Sequence, residues 1–201
     1  MKMSVQGTRG LFAALAVVLT AVMFSAPVHA QTSNWQIDPA HANAQFSVRH
    51  LSISNVSGQF NKMSGTIQLD DKDVTKSVVN ATVDVSSVDT RNEGRDNDLK
   101  SDHFFDVAKY PTMTFVSTKI ESAGPGKLKM TGNLTLHGVT KEVTFDVDGP
   151  SETITDPWKN QRRGASATTT INRRDFGITT YPAAAIGDEV KITLDIEFIK
   201  K

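Results

Sequence analysis

"VKITLDIEF", residues 190–198, alternates without a break. Val190, Ile192, Leu194, Ile196 and Phe198 fall on one side of an extended chain, and Lys191, Thr193, Asp195 and Glu197 on the other. Successive side chains of a strand point to opposite faces, so this stretch reads as a strand with one dry face and one wet face. The same rhythm recurs upstream. Val143, Phe145 and Val147 alternate with Glu142, Thr144, Asp146 and Asp148. Leu128, Met130, Gly132, Leu134 and Leu136 alternate with Lys129, Thr131, Asn133 and Thr135. Further strands are expected around residues 44–50, 65–69, 79–85, 112–120 and 165–171. Half-wet strands make antiparallel sheets, because parallel sheets are covered on both faces.

The connectors agree with this. "GPG" at 124–126 and "HG" at 137–138 each join two strong strands as short hairpins. Only "NEGRDNDLKSDHFFD", residues 92–106, breaks the rhythm and leaves room for a helical turn or two. The expected fold is all-β, an antiparallel up-and-down barrel of about eight strands with one short helical segment near 92–106. A sandwich is the alternative. The barrel is preferred because closure removes sheet edges, and few of these strands carry the proline that protects an edge.

A barrel of eight strands either packs solid or holds one small ligand. Small residues are frequent at the inward-reading positions: Ala44, Gly65, Ala81, Gly132, Ala165, Ala167 and Thr169. Phe46, Phe60, Phe115, Phe145 and Phe198 are their bulky counterparts. Small and large residues also alternate in barrels that are simply full. The pattern therefore permits a cavity without requiring one.

Residues 1–30 read as a cleaved export signal: Lys2 and Arg9, then a mostly apolar run over 11–26, then Val28-His29-Ala30. The expected mature domain is 31–201. With no cysteine in the sequence, an exported chain relies on packing alone. The leader takes two of the 22 basic residues and none of the 22 acidic ones, leaving the domain at −2. That balance disfavours nucleic acid, whose phosphates need a basic surface.

Reactive constellations are missing from the sequence. The four histidines after the leader, His41, His50, His103 and His137, form no HxH or HExxH pair, and Asp96-Asn97-Asp98 does not continue as a calcium loop. There is no nucleophile elbow, phosphate loop or thiol. We expect no catalytic residue, no metal site and no required cofactor. His50 shares its parity with Ala44, Phe46 and Val48, so it is expected to look into the barrel near a rim, as a structural hydrogen bonder or a contact for a ligand head group. Lys159, Arg162, Arg163, Arg173 and Arg174 read as a solvated basic rim.

"IDPAHANAQFSVRHLSISNVSGQF", "RDNDLKSDHFFDVAKYPTMTF", "GNLTLHGVTKEVTF", "INRRDFGI" and "GDEVKITLDIE", in this order, resemble the YceI-like polyisoprenoid-binding family over nearly all of the mature chain. The resemblance implies a lipocalin-like barrel in the periplasm, or outside the cell where there is no outer membrane. It implies a polyprenyl lipid or isoprenoid quinone in the barrel, held for storage, shielding or transport. The ligand wall is then expected at Phe46, Val48, Phe115, Leu134, Leu136, Phe145, Ile171, Ile196 and Phe198, with His50 at the head group. Residues 92–106 fall on the family's signature between two strands. Arg95 and its neighbouring aspartates are expected to fix that loop by ion pairs and caps, with Phe104 and Phe105 entering the core beside Tyr110. Asp98 stands where relatives often have histidine, so no role of that histidine transfers. A homodimer and a transient contact with a membrane or membrane enzyme are compatible with the resemblance. The rival expectation is a packed structural or stress-response barrel that works through a protein partner.

Overall fold

The computed structural model describes Met1 and residues 32–201; the remainder of the expected leader and Gln31 lie outside the described residues. In chain order the elements are β1 (Thr32–His50), β2 (Ser54–Phe60), β3 (Met63–Asp70), β4 (Val78–Asp84), β5 (Val88–Asp89), α1 (Glu93–Lys100), β6 (Thr112–Gly124), β7 (Lys127–Leu136), β8 (Val139–Asp148), β9 (Ile154–Thr155), β10 (Gln161–Asn172) and β11 (Ile186–Lys200).

The strands form one antiparallel sheet that closes on itself where β11 pairs with β1. The ring has eight staves. β2 and β3 make a single stave, since Phe60 lies opposite Ala44 and Thr66 opposite Gln36 on the same side of β1. β4 and β5 make the next, pairing with β3 and β2 in turn. The expected all-β up-and-down barrel is therefore the observed fold. Among the described residues β9 pairs with the start of β10 alone, across from β11.

β1 extends further than the alternation alone suggested. Its first half, Thr32–Gln36, pairs with β3, and its second half with β2. Between them the register against β11 slips from Ile37 to Ala42. Pro39, which has no N–H to give to a ladder, sits in that slip. The two-residue turn between β7 and β8 has His137 at φ 52° and Gly138 at φ 74°, the left-handed pair a tight hairpin needs.

The helical segment is where it was expected. The Asn92 side chain caps α1 by accepting from the Arg95 backbone N–H at 2.9 Å. The loop's fastenings differ from expectation in two respects. Among the described residues Arg95 makes no ion pair; it donates to the Thr90 hydroxyl and carbonyl, both at 2.8 Å, while Asp96 accepts from the Thr90 N–H at 2.8 Å and hydroxyl at 2.5 Å. Phe104 and Phe105 do enter the core, but not beside Tyr110. Phe105 meets the edge of Phe60 at 5.7 Å, and Phe104 stacks on Tyr181 of the β10–β11 connection at 5.3 Å. Tyr110 packs against His137 at 4.8 Å instead. Residues 90–111 thus tie the β2 side of one barrel end to the β10–β11 side.

Candidate functional site

The interior is walled by two clusters. One gathers Trp35, Ile37, Phe60, Ile67, Leu69 and Phe198 from the β1–β3 side and β11. The other gathers Phe115, Leu134, Leu136, Phe145, Ile171 and Phe176 from β6, β7, β8 and β10 with its following turn. They do not fill the barrel. A cavity of about 250 Å³ is lined by side chains of both. It reaches from Leu99, Phe104 and Phe105 beneath the helical segment to Val74, Leu128 and Pro150 toward the opposite end.

All nine apolar positions expected on the wall line this cavity: Phe46, Val48, Phe115, Leu134, Leu136, Phe145, Ile171, Ile196 and Phe198. Strand parity explains why. Each is on the dry face of its strand, and closure turns that face inward. The rings meet edge to face or tilted, Phe115 on Phe145 at 5.3 Å and Phe46 on Phe60 at 5.6 Å. The alternation did not mark Phe104, Phe105 and Leu99, which come from the non-strand segment, or Met63 and Met113; Met130, which it did place on a dry face, also lines the cavity.

The small residues divide into two groups. Ala44, Ala81, Ala165 and Ala167 face the cavity. Gly65 and Gly132 instead make space for neighbours: a Cβ at Gly65 would fall 2.7 Å from Ile37 Cδ1, and one at Gly132 2.4 Å from Phe115 Cζ. Thr169 turns its hydroxyl to the Thr144 carbonyl at 2.8 Å. Small-beside-large packing and a cavity therefore coexist in one barrel.

His50 is corrected by the structure. It is exposed and absent from the cavity lining. β1 keeps its register with β2 through His50, opposite Ser54, while the extra residues lie on β11 between Ile186 and Val190; as the last residue of β1 the histidine stands at the barrel end, open to solvent.

Arg173 departs from the expected rim as well. It is 4% exposed and reaches the cavity wall, yet each of its three guanidinium nitrogens is engaged. They go to the carbonyls of Ile178 (2.7 Å), Tyr181 (2.7 Å), Ile186 (2.9 Å) and Gly187 (3.1 Å), and to the Asp188 carboxylate (2.9 Å). Burial pushes its pKa down, while Asp188 pushes it up; a guanidinium so placed stays charged. Its work is to staple the β10–β11 connection across the barrel end. Arg162 is likewise half-buried rather than solvated, and binds Asp156 and Asp38 at 2.6 Å each and Glu197 at 3.1 Å. Asp38, His41 and Glu197 bring three possible ligand atoms within 4.8 Å of one another. Two of these groups already share the Arg162 guanidinium, which supplies the positive charge there.

The interior offers apolar contact and few free polar groups, so it suits a hydrocarbon held without directional bonds. Comparison with known proteins gives a consistent picture. The sequence model of the YceI-like domain matches residues 35–198. A UPF0312 protein of Vibrio parahaemolyticus is 40% identical over 185 residues, 90% of this chain and 95% of its own length. Among solved structures, the YceI protein of Campylobacter jejuni is 34% identical with a TM-score of 0.69, covering 76% of this chain and 90% of that one. A polyisoprenoid binding domain from Saccharophagus degradans shares the fold at 16% identity, with a TM-score of 0.60 over 83% of this chain and 98% of that one.

Proposed function

Because this chain belongs to the YceI-like family, we propose that it holds a polyprenyl lipid or isoprenoid quinone inside the barrel and stores, shields or carries it. The observation that carries the reading is the continuous apolar cavity of about 250 Å³, walled by both core clusters. The related fold described as polyisoprenoid binding supports the same ligand class. The leader pattern of residues 1–30 supports action in the periplasm, or outside the cell where there is no outer membrane. The role is non-catalytic and requires no cofactor.

Energetics make this economical. Burying a methylene is worth about 0.8 kcal/mol, so a five-carbon isoprene unit offers roughly 3–4 kcal/mol before ordering costs. An apolar cavity of roughly 150 Å³ holds a benzene ring, so this one takes roughly two isoprene units as it stands. Longer chains call for wall side chains that give way. Met63, Met113 and Met130 are suited to that, being unbranched and flexible at each carbon.

The test is mass spectrometry of an organic extract from protein purified natively, without detergent, from a bacterial periplasm. A stoichiometric polyprenyl species or quinone is expected. Protein that carries none, and takes up none after incubation with quinone and polyprenyl phosphate, overturns the reading in favour of a packed barrel with a protein partner.

A further inference from the structure

Pro150 lines the cavity, and after it the chain rejoins the sheet as β9, paired with the first residues of β10, through the turn 156–160. That turn is firmly built. The buried Asp156 carboxylate accepts from the backbone N–H groups of Trp158 (2.9 Å) and Asn160 (2.8 Å), from the Asn160 side chain (3.0 Å) and from Arg162 Nε (2.6 Å). The Asp156 N–H reaches the Asn160 carbonyl and the Lys159 N–H the Asp156 carbonyl, each at 2.9 Å. On this rigid frame Trp158 is 77% exposed and Ile154 61%. The other indole of the described chain, Trp35, is 2% exposed. A large apolar surface held outward by a buried carboxylate and its hydrogen bonds is arranged to meet something.

We propose that the β9–β10 turn docks the protein on an anionic lipid bilayer, with the cavity end lined by Val74, Leu128 and Pro150 turned toward the membrane. The proposal rests on the isoprenoid reading in one respect, that the cavity is filled from a lipid phase. The chemistry around the turn chooses the occupant. Trp158 pairs an apolar ring with a polar N–H, the combination that settles at membrane interfaces. Lys159 follows it directly, and the row Ile154, Arg162, Ile199 across β9, β10 and β11 brings Lys200 and Lys201 beside the hairpin; Glu152 is an exposed acid nearby, Asp148 at the same end is paired with Lys127, and Asp71 is exposed on the β3–β4 connection. Cations fringing an aromatic and an aliphatic tip fit anionic head groups. A protein partner fits less well, because lysine is depleted from protein interfaces. Two apolar side chains are also far short of the roughly 1,200 Å² or more that a stable dimer buries.

The experiment uses the mature chain and vesicles of phosphatidylethanolamine and phosphatidylglycerol in equal parts, with or without brominated acyl chains, against phosphatidylcholine vesicles. Bromine is expected to quench Trp158 and leave buried Trp35 unaffected. Changing Trp158→Ser and Ile154→Ser together is expected to lower partitioning about tenfold with an unchanged melting temperature. Phosphatidylcholine should bind less, and added salt should weaken the anionic case. Trp158 emission indifferent to anionic vesicles, equal partitioning of the variant, or equal binding to phosphatidylcholine overturns the proposal. So does a dimer in sedimentation that the same substitutions dissolve, since a second copy would then own the turn. Isoprenoid uptake from detergent micelles is measured in parallel. Docking without uptake sinks the proposed function and leaves this surface standing; uptake without docking does the reverse.

Discussion

Arg162 joins three carboxylates that the chain places far apart: Asp38 on β1, Asp156 in the turn before β10, and Glu197 on β11. Its hydrogen bond, then that of His41, holds Asp38 down at about 2. At Asp156 burial acts upward, and the bonds from Arg162, Asn160 and the turn's N–H groups overcome it to leave that carboxyl also at about 2. Depressed carboxyl pKa values stabilise the fold above the ordinary value near 3.8 and stop doing so as pH falls toward 2. Arg162→Ala is therefore expected to be less stable than wild type at neutral pH, with the gap closing between about pH 4 and pH 2. Urea unfolding at a series of pH values checks this; a gap independent of pH would sink it. None of this was legible locally, where "QRR" reads as a charged rim. Asp156 lies six residues away in the same turn, but Asp38 and Glu197 come from opposite ends of the sequence and reach Arg162 only when β11 closes on β1. His50 teaches the complementary point. Parity assigned it inward, but as the last residue of β1 it is exposed at the barrel end, off the cavity wall.

At the scale of elements, the strands with strict alternation were the legible ones, because a half-wet strand needs nothing beyond its own residues to show its faces. The first half of β1 was not, since "DPAHA" interrupts the period where the strand slips register around Pro39. The two segments that bind one barrel end were legible only in part. Residues 92–106 left room for a helical turn, but their anchoring to Thr90, Phe60 and Tyr181 is a matter of tertiary contact. The β10–β11 connection depends on Arg173. Arg173→Met leaves the carbonyls of Ile178, Tyr181, Ile186 and Gly187 short of their donor, and should cost about 3 kcal/mol or more. Arg174→Met, at a side chain 35% exposed, is expected to cost clearly less. Denaturant midpoints for the two variants decide it, and equal losses would mean that Arg173 is not the staple.

For the whole molecule, the barrel is a ring of contacts around a space that no single strand encloses. A ligand that binds the folded chain alone stabilises it by about 2.7 kcal/mol at a hundred times its dissociation constant. Melting temperature should thus rise with added isoprenoid in a saturable way. With short isoprenoids of increasing length, the rise should steepen up to roughly two units, where the resting cavity is full, and less per unit beyond, where the wall must move. A rise that keeps the same increment for every added unit would mean the cavity is longer than its resting volume.

The sequence by itself determined which face of each regular strand is apolar, that the strands run antiparallel, and that one short segment breaks the strand pattern; it favoured closure of the sheet over a sandwich. These follow from period-two alternation, turn chemistry and one break in the strand rhythm, all readable within a few residues. Tertiary structure alone decided whether the interior is full. Ala44 and Ala167 leave space, while Gly65 and Gly132 give theirs to Ile37 and Phe115. It also decided that Arg173 is buried, that His50 is not, and that Trp158 is displayed. Which way a side chain points is local, but whether anything stands opposite it depends on strands up to the full length of the chain away.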